Sequence, residues 1–494
     1  MASAHAASAA AHHHRPSAAA YERRRPERTV LYQVVSEHWP AFVEQTEAQG
    51  RPLPRFVHRE VEAYLRCGIL EHGLLRLGCS ACGFERLVAF SCKKRGFCPS
   101  CLGRRMTDTA CHLRERVLPE VPLRQWVCSL PWPLRMAVGY DGALCSAVMG
   151  AFVEEVQRCY RRRAKHQLGL GSVALAHTGA VTFIQRFDAA LRLNPHAHTL
   201  SLDGVYLRGG DGELTFHPLP PPSAEEVADV ARRTAARVRR LLERRADDQD
   251  RDEPTGWTVC CAASTQGLSL FGPRAGQTPL RLVDPSQARP DEPVAIVEGF
   301  NVHAARTLHG ADHAQVERFC RYLARPPIAQ ERLEHLDDGR IRYRFKRAWK
   351  DGSTAVELEP FDLLARICAL IPPPRMHMVR YHGVLASRAK LRPEVVPTPP
   401  EPEPNPLALQ QPLPRCPQPH EPPRRKPWAW VLHHVFLHDV SVCPRCQGPT
   451  TWLDVATDPD AIDRALADHG LTPHRPRPPP IPRRAPDAQL TLPL

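Results

Sequence analysis

Two histidines on one predicted strand are the residues of this sequence best placed to do chemistry. His196 and His198 lie in the segment 193–207, which we interpret as a β-strand that begins near Pro195 and is interrupted by a bulge or turn at Asp203-Gly204. Alternate side chains of a strand point to the same face, so the two imidazoles lie side by side and can bind one divalent metal ion. The alternative is a half-exposed strand without a ligand, because a chain with 25 histidines contains about one such pair by chance.

Two Cys-x-x-Cys pairs predict a second kind of metal site. Cys79 and Cys82 are separated from Cys98 and Cys101 by fifteen residues, which is within the spacing typical of zinc sites. Four thiolates in a tetrahedral array bind a structural Zn²⁺ ion, so we expect these four cysteines to share one ion.

Other cysteines leave alternatives open. Cys67, Cys92 and His72 lie close to the predicted zinc site and could replace a ligand or bind a second ion, although a role in the core is the simpler interpretation. A third pair, Cys443 and Cys446, supplies half of a site. The further ligands that lie near this pair in the sequence are Cys416 and His438.

A tyrosine beside arginines is the candidate nucleophile. Within residues 311–328 the apolar positions follow the helical period, and Tyr322 falls at the edge of the apolar face. Arginines that could hold a phosphate flank it, and a phenol in this setting suits attack on a phosphodiester. The alternative is a tyrosine that packs at a helix edge. The flanking arginines are Arg318, Arg321 and Arg325.

The overall charge favours a polyanionic partner. The chain of 494 residues carries a formal charge of +13, mostly from arginine, which contacts phosphate through two parallel hydrogen bonds. A solvated basic surface is the alternative. No run of eighteen apolar residues is present, so we expect no membrane span. The basic residues next to the predicted zinc site are Lys93, Lys94, Arg95, Arg104 and Arg105.

Predicted strands and helices position these groups. Residues 125–130 and 180–187 are rich in strand formers, and 180–187 forms a hairpin with the strand of the two histidines. From that neighbouring strand, Gln185 or Asp188 could reach the metal ion. The predicted flanking helices are 142–163 and 223–245, the second with Ser223 as its N-cap.

The predicted fold class is α+β. A zinc-ribbon-like N-terminal domain precedes a larger domain of mixed strands and flanking helices, and a proline-rich C-terminal tail follows. The predicted segments are a disordered N-terminus (1–28), a zinc-binding domain (29–115), a catalytic domain (120–390), a proline-rich linker (391–426), a small C-terminal module (427–470) and a disordered tail (471–494).

Four landmarks in this order resemble the rolling-circle transposases of the insertion sequence 91 family, within the HUH endonuclease superfamily. The resemblance covers residues 30–390 and implies a zinc-binding domain followed by a catalytic, HUH-type nuclease domain with an antiparallel sheet and flanking helices. The motifs that carry it are Ser91-Cys92-Lys93 with Cys98-Pro99-Ser100-Cys101, Asn194-Pro195-His196-Ala197-His198, Arg321-Tyr322-Leu323-Ala324-Arg325-Pro326-Pro327-Ile328, and Val379-Arg380-Tyr381-His382-Gly383.

The resemblance also implies roles for individual residues. His196 and His198 correspond to ligands of Mg²⁺ or Mn²⁺, and Tyr322 corresponds to the nucleophile that attacks DNA. Some family members carry a second catalytic tyrosine four residues earlier, where this chain has Arg318, so the chain is of the single-tyrosine type. The middle residue of the histidine motif is usually larger than Ala197. Our candidate for the third ligand is Gln185.

Together these observations predict a transposase that nicks single-stranded transposon ends through a 5′-phosphotyrosine and transfers strands by rolling-circle transposition. A replication initiator or relaxase with the same chemistry, or a non-catalytic zinc-dependent DNA-binding regulator, is the alternative. We expect structural Zn²⁺, catalytic Mg²⁺ or Mn²⁺, and single-stranded DNA as partner. We also expect a cytoplasmic, nucleoid-associated location and neither a membrane nor a small-molecule partner.

Overall fold

The computed structural model of the chain describes residues 24–246, 255–287, 295–398 and 442–472. Helices and antiparallel strands are mixed along these ranges, as the predicted α+β class requires. Most of the predicted disordered N-terminus, linker and tail lies outside the described residues, as do Cys416 and His438. Among the described helices, none is long and apolar enough to cross a membrane.

The secondary-structure elements are numbered in chain order. The α-helices are α1 (Val30–Ala48), α2 (Arg55–Leu65), α3 (Pro99–Arg116), α4 (Trp132–Tyr140), α5 (Gly142–Gln167), α6 (Ala224–Ala246), α7 (Gly256–Gln266), α8 (His313–Leu323), α9 (Pro360–Leu370), α10 (Arg392–Val395) and α11 (Pro459–Asp468). The strands are β1 (Leu74–Cys79), β2 (Glu85–Ala89), β3 (Leu123–Ser129), β4 (Gly179–Phe187), β5 (Leu193–Leu202), β6 (Gly204–Arg208), β7 (Leu214–Pro218), β8 (Arg281–Val283), β9 (Ala295–Val297), β10 (Phe300–His303), β11 (Thr307–Leu308), β12 (Leu333–His335), β13 (Ile341–Arg344), β14 (Ser353–Leu358), β15 (Val379–Gly383) and β16 (Thr450–Ala456).

A seven-stranded sheet is the frame of the molecule. Its strand order is β15-β4-β5-β3-β10-β9, with β11 also paired to β3. Every strand pair of the described residues, in this sheet and in the smaller ones, is antiparallel. The whole of β4 is buried, and the histidine strand β5 lies between β4 and β3. The two histidines therefore belong to the interior of the sheet, where neighbours on both sides hold their backbone.

Helices cover both faces of this sheet. On one face Val181 and Phe183 of β4 share a buried cluster with residues of α3 and α8. On the other face Ile184 and Ala197 pack with α4, α5 and α6. The alternation follows from the two-residue period of a strand. His196 and His198 share the face of Leu200, which packs in the cluster that contains α8.

The histidine strand differs slightly from its predicted bounds. It begins at Leu193, two residues before Pro195. The predicted interruption at Asp203-Gly204 is present, because β5 ends at Leu202 and β6 begins at Gly204. A Cβ atom on Gly204 would lie 2.3 Å from the carbonyl oxygen of His217, so only glycine fits where β6 pairs with β7 at this position.

A buried ion pair fixes the end of β5 to β3. Arg124 donates two hydrogen bonds, of 2.9 and 2.8 Å, to the carboxylate of Asp203. The hydroxyl of Tyr160 on α5 donates a third, of 3.0 Å, to the same carboxylate. Both charged side chains are almost fully buried. Removing either partner would leave the other charge uncompensated in the interior.

The helix of Tyr322 is shorter than the predicted segment. Helix α8 starts after Asp312, whose side chain accepts a hydrogen bond of 2.9 Å from the backbone NH of Gln315, and it ends at Leu323. Pro326 and Pro327 follow within one turn and prevent the helix from continuing. Tyr322 therefore lies in the last turn of α8.

The C-terminal segment does not form a separate module. Strand β16 pairs with β1, so residues 442–472 complete a three-stranded sheet, β16-β1-β2, whose other strands belong to the N-terminal domain. Residues of β16 and α11 also share a small buried cluster with Leu70, Leu74 and Leu87. The predicted zinc-binding domain (29–115) and the predicted C-terminal module (427–470) thus share one sheet and one small buried cluster.

Candidate active site and metal centres

The two histidines of β5 converge as the strand pattern predicts. Their Nε2 atoms are 3.1 Å apart, and their ring centroids are separated by 4.9 Å. Two ligands bound at about 2.1 Å on adjacent corners of an octahedron lie about 3.0 Å apart. The separation of the Nε2 atoms therefore fits a shared Mg²⁺ or Mn²⁺ ion.

Hydrogen bonds on the opposite ring nitrogens orient both imidazoles. Nδ1 of His196 lies 2.7 Å from the carbonyl oxygen of Asn194, to which it donates. Nδ1 of His198 lies 2.8 Å from the amide nitrogen Nε2 of Gln125 on β3. The nitrogen and oxygen of an amide are interchangeable by a 180° flip, and with the oxygen toward Nδ1 the proton of His198 would lie on Nδ1, which leaves Nε2 available as a ligand.

Burial favours the neutral form of both rings. It lowers the pKa of His196, and it lowers the pKa of His198 well below its usual value, with the neighbouring His196 and Arg325 adding to the effect. A metal ligand must present an unprotonated nitrogen. The environment of the two histidines meets that requirement at neutral pH.

Gln185 lies beside the histidines and has an unused oxygen. In the register of β4 and β5 it is directly opposite His196, so the two side chains share one face. Its Nε2 donates 2.8 Å to the carbonyl oxygen of Leu323, whereas its Oε1 is buried and, within the described residues, has no hydrogen-bond partner. An amide oxygen is a suitable ligand for Mg²⁺ or Mn²⁺. Asn194, two residues before His196, has a similar unpartnered Oδ1.

Asp188, the other residue considered as a ligand, is engaged elsewhere. One carboxylate oxygen accepts 2.7 Å from Nε of Arg192, and the other accepts hydrogen bonds from the backbone NH groups of Ala190 and Arg192. Asp188 thus closes the turn between β4 and β5. It positions the hairpin and is not among the residues that point to the histidines.

Tyr322 reaches the histidine pair from the facing helix. Its ring centroid is 6.2 Å from that of His198, at an angle of 73°. The side chain is 40% exposed, whereas Phe319, one turn earlier, is buried and stacks against it. Phe319 thus holds the Tyr322 ring against the protein, and the rest of the side chain is open to solvent. Tyr322 and His198 come from elements more than 100 residues apart, and the fold brings them together.

The three arginines on and just after α8 have different environments. The guanidinium of Arg325 lies over the rings of Tyr322 and Phe187, at 5.0 and 5.4 Å from their centroids. Arg321 pairs with Glu317, which also pairs with Arg114 of α3, so Arg321 helps to fix α8 to α3. Arg318 is exposed on the helix surface. Of the three, Arg325 is the one that contacts the candidate nucleophile.

A cleft of about 730 Å³ opens over Tyr322, and we call it the basic cleft. Its walls are the first turns of α3, the turn after β4, the residues that follow α8, and the loop after β13. Two acidic side chains, Asp188 and Glu331, line it against six basic ones, and Asp188 is already paired. The basic residues are Arg24, Arg306, Arg325, Arg332, Lys346 and Arg347. The cleft therefore suits a polyanionic chain.

The basic residues predicted near the zinc site divide into two groups. Arg95 and Arg105 line a second cavity of about 340 Å³, the side cavity, together with Gln185 and Arg325. Arg105 also donates 2.6 Å to the carbonyl oxygen of Lys93. Lys93, Lys94 and Arg104 lie on the same segment, but among the described residues they line neither the basic cleft nor the side cavity.

The cysteines form two clusters instead of one. The first cysteine cluster consists of Cys67, Cys92, Cys98 and Cys101, and the second consists of Cys79, Cys82, Cys443 and Cys446. In each cluster the sulfur atoms lie within 4.8 Å of one another. The prediction that Cys79, Cys82, Cys98 and Cys101 share one ion is therefore wrong. The two Cys-x-x-Cys pairs lie at different ends of the β1–β2 hairpin, and each finds its partners elsewhere.

The first cysteine cluster fits a structural zinc ion. Cys101 lies 3.6 Å from Cys67 and 3.4 Å from Cys92, and Cys98 lies 3.7 Å from Cys67. Hydrogen bonds from the other three thiols, Cys101 first, lower the pKa of the Cys67 thiol. Cys98 and Cys101 belong to the first turn of α3, which forms one wall of the basic cleft. The cluster therefore positions that wall.

Some functional residues were not found from the sequence. Gln125, which orients His198, is a buried polar residue of β3, and only its position on the face of the histidines could have indicated its role. Cys67 and Cys92 were weighed as possible ligands, but they lack the two-residue spacing of a zinc knuckle. Lys346 and Arg347 lie in the loop between β13 and β14, two strands of a separate four-stranded sheet (β12-β13-β14-β8). No local pattern of the sequence links them to Tyr322.

Comparisons with known proteins agree with this architecture. A family model described as a transposase zinc-binding domain matches residues 34–130, and one described as a putative transposase matches residues 179–392. The transposase for insertion sequence element IS801 of Pseudomonas savastanoi pv. phaseolicola is 24% identical over 335 residues, which cover 66% of this chain and 70% of that protein. No solved structure gives a significant match. The two matched domains, in the order seen here, make the chain similar to the insertion sequence 91 family of transposases, and the match to a zinc-binding domain agrees with the cysteine clusters.

Proposed function

We propose that this protein is a transposase that nicks single-stranded DNA at transposon ends by attack of Tyr322 on a phosphodiester. The observation that carries the proposal is the position of Tyr322, which is 40% exposed and whose ring lies 6.2 Å from that of His198. A half-exposed phenol beside two neutral imidazoles and a guanidinium is the arrangement expected of a metal-assisted tyrosine nuclease.

The proposed step conserves the energy of the phosphodiester. The Tyr322 oxygen bonds to phosphorus, and the bond from phosphorus to the 3′-oxygen of the preceding nucleotide breaks. The phenolic proton leaves to solvent, and the departing 3′-oxygen takes a proton from solvent. The products are a 5′-phosphotyrosine and a free 3′-hydroxyl, which can prime replication or receive a strand during rolling-circle transposition. No nucleotide cofactor is required, because the new ester retains the energy of the old one.

His196, His198 and Gln185 are the residues that would bind the catalytic Mg²⁺ or Mn²⁺. When bound, the ion would neutralise charge on a nonbridging phosphate oxygen and make phosphorus more electrophilic. The 3.1 Å separation of the Nε2 atoms and the unpartnered Oε1 of Gln185 support this assignment. Arg325, stacked on Tyr322, would hold the phosphate next to the phenol.

The basic cleft supports a single strand of DNA as the substrate. It runs past Tyr322 and is lined by arginines and a lysine that can track a phosphate backbone. Unpaired bases can stack on the guanidinium planes of its arginines. Duplex DNA has its bases already stacked on one another and offers none for such contacts.

Two other functions would use parts of the same architecture. A replication initiator or relaxase would share the nicking chemistry, and the transposase relatives argue for transposition. A non-catalytic DNA-binding regulator would use the zinc clusters and the basic cleft alone. A non-catalytic function does not explain why Tyr322, His196 and His198 lie close together.

The test is nicking of a labelled library of single-stranded oligonucleotides with Mg²⁺ or Mn²⁺. We expect a metal-dependent covalent protein–DNA band on a denaturing gel with the native protein and its loss in Tyr322→Phe. Tyr343→Phe is the matched control, because Tyr343 lines the same cleft but is 3% exposed. Its variant should retain the band.

Two results would contradict the proposal. A band that persists in Tyr322→Phe would identify another nucleophile, with Tyr343 and Tyr381 the next candidates. The absence of any band in folded, zinc-loaded native protein, across broad sequence coverage, would favour the non-catalytic regulator. Circular dichroism and zinc content of each variant separate loss of chemistry from loss of fold.

A further inference from the structure

The second cysteine cluster lies beyond the matched zinc-binding domain and joins distant parts of the chain. Cys79 and Cys82 belong to the turn between β1 and β2, within the matched range 34–130. Cys443 and Cys446 precede β16 and lie outside both matched ranges. The Sγ atoms of Cys79 and Cys446 are 3.4 Å apart, and those of Cys82 and Cys443 are 3.6 Å apart.

These distances are close to those of a zinc tetrathiolate. Zn–S bonds of about 2.3 Å in a tetrahedron place neighbouring sulfur atoms about 3.8 Å apart. All four sulfur atoms of the second cysteine cluster lie within 4.8 Å of one another. Cys79 and Cys443 are buried and Cys446 is exposed, and none of the four belongs to a hydrophobic cluster of the described residues. Hydrophobic packing therefore does not account for their convergence.

The two halves of the cluster have the same backbone turn. The backbone NH of Cys79 donates 2.9 Å to the carbonyl oxygen of Phe84, and that of Cys443 donates 2.8 Å to the carbonyl oxygen of Gly448. In each turn the residue after the second cysteine, Gly83 or Gln447, has a positive φ, of 68° or 61°. It donates 2.9 Å back to the first cysteine of its pair.

The repeated turn is significant because one of its residues is strained. A positive φ is unfavourable for a residue with a side chain, and Gln447 adopts it where the equivalent position in the other turn is glycine. This conformation lets both cysteines of a Cys-x-x-Cys pair direct their sulfur atoms to one point. Next to it, a Cβ atom on Gly448 would lie 3.3 Å from the sulfur of Cys446 and 3.5 Å from that of Cys79. The glycine leaves room for the four sulfur atoms.

We propose that Cys79, Cys82, Cys443 and Cys446 bind a second structural Zn²⁺, which fastens the C-terminal segment to the N-terminal domain. Binding converts the four thiols to thiolates and releases their protons to solvent. The ion is separate from the one in the first cysteine cluster. It completes a zinc ribbon whose two knuckles come from opposite ends of the described chain.

The small contact between residues 442–472 and the N-terminal domain explains why a metal ion would be needed there. The buried cluster that residues 442–472 share with the N-terminal domain contains seven residues, all small or aliphatic. Units of this size rarely hold together by apolar contacts alone and commonly depend on a metal or disulfides. Pairing of β16 with β1 adds hydrogen bonds, but several side chains of β16 remain exposed.

The experiment is zinc counting by inductively coupled plasma mass spectrometry on the full chain, purified under reducing conditions. We expect two zinc ions in the native protein and one in Cys443→Ser/Cys446→Ser. Cys79→Ser/Cys82→Ser should also retain one, and the variant with all four substitutions should still retain one. Arg445→Ser is the matched control, because it alters the same exposed turn without removing a ligand and should retain two.

Cobalt substitution provides a second measurement that does not depend on stability. Co²⁺ bound to four thiolates absorbs through ligand-to-metal charge transfer, and we expect the intensity per chain to halve in each two-cysteine variant. One zinc ion in the native protein, or two in Cys443→Ser/Cys446→Ser, would overturn the proposal. So would a stoichiometric Cys79–Cys446 or Cys82–Cys443 disulfide in protein purified without metal loss, which mass spectrometry of the unreduced protein would detect.

Discussion

Nε2 of Gln185 donates a hydrogen bond of 2.8 Å to the main-chain carbonyl oxygen of Leu323. This contact joins the strand that faces His196 to the end of the helix that carries Tyr322. Leu323 is near the C-terminus of α8, where carbonyl groups have no partner within the helix. The Gln185 side chain therefore donates to a free carbonyl group at the end of α8 and keeps its Oε1 atom beside the histidines.

The first prediction concerns this double role of Gln185. Gln185→Met has a similar volume and no amide, so it removes both the donor to Leu323 and the oxygen offered to the metal. We expect the Mn²⁺ concentration for half-maximal nicking to rise about 10-fold to 100-fold, as for other residues that support a metal site. Metal titration of the nicking rate measures this. Asn194→Ala, which removes the other unpartnered oxygen, should raise this Mn²⁺ concentration less than Gln185→Met does. A larger rise in Asn194→Ala than in Gln185→Met would assign the ligand role to Asn194.

The second prediction separates two arginines of the same helix region. Arg325→Ala should weaken binding of a single-stranded oligonucleotide and reduce the slope of log K against log salt by about 0.7, the value for one phosphate contact. Arg321→Ala should leave that slope unchanged, because Arg321 is held by Glu317. Fluorescence anisotropy over a range of salt concentrations tests both. Equal slopes in the native protein and Arg325→Ala would show that Arg325 does not contact a phosphate of the DNA.

The third prediction concerns the pH dependence of stability. Burial, with a smaller contribution from Arg380, lowers the pKa of His382 from 6.5 to about 4. Since the folded-state pKa lies below the unfolded-state value, the unfolded chain binds more protons between the two, and stability present above pH 6.5 is lost as the pH falls. From pH 7.5 to 5 this loss amounts to about 2 kcal/mol.

Urea denaturation of the native protein and His382→Gln at both pH values measures that loss. The variant has no titrating ring at this position, so its free energy of unfolding should fall about 2 kcal/mol less between the two pH values. The comparison is a difference of differences, which removes any uniform effect of the substitution. An identical fall in both proteins would show that His382 is not the group responsible.

The fourth prediction is that Asp203→Ala strongly destabilises the sheet. The substitution leaves Arg124 charged and buried, which should cost about 3–5 kcal/mol in the free energy of unfolding. Asp229→Ala is the control, because Asp229 pairs with Arg162, Arg232 and Arg233 nearer the surface and should cost under about 1 kcal/mol. Urea denaturation of the two variants at one pH compares them directly. Similar losses would mean that the buried pair is solvated.

Features set by neighbouring residues were predictable from the sequence. The capping of α6 follows from Ser223 and Glu226, whose side chains each accept a hydrogen bond from the backbone NH of the other. The end of α8 follows from two prolines, and the shared face of the histidines follows from strand geometry. The position of Tyr322 at the edge of the apolar face is also local, since it depends only on the helical period.

Features set by distant residues were not predictable in this way. The division of the cysteines into two clusters depends on ligands that are more than 360 residues apart in the chain. The contact between Gln125 and His198 depends on the register of β3 with β5, which a single sequence does not define. The basic cleft likewise combines residues from distant parts of the chain, from Arg24 to Arg347.

The pairing of β1 with β16 has a consequence for the timing of synthesis. Leu74 pairs with Ala456, so a ribosome that has made β1 must add the rest of the chain before its partner exists. At about 5–20 residues per second this delay is on the order of tens of seconds. During that time one edge of β1 is open to strands of other nascent chains. Any copy of the gene interrupted upstream of β16 would leave that edge open permanently, and its product would be prone to aggregate.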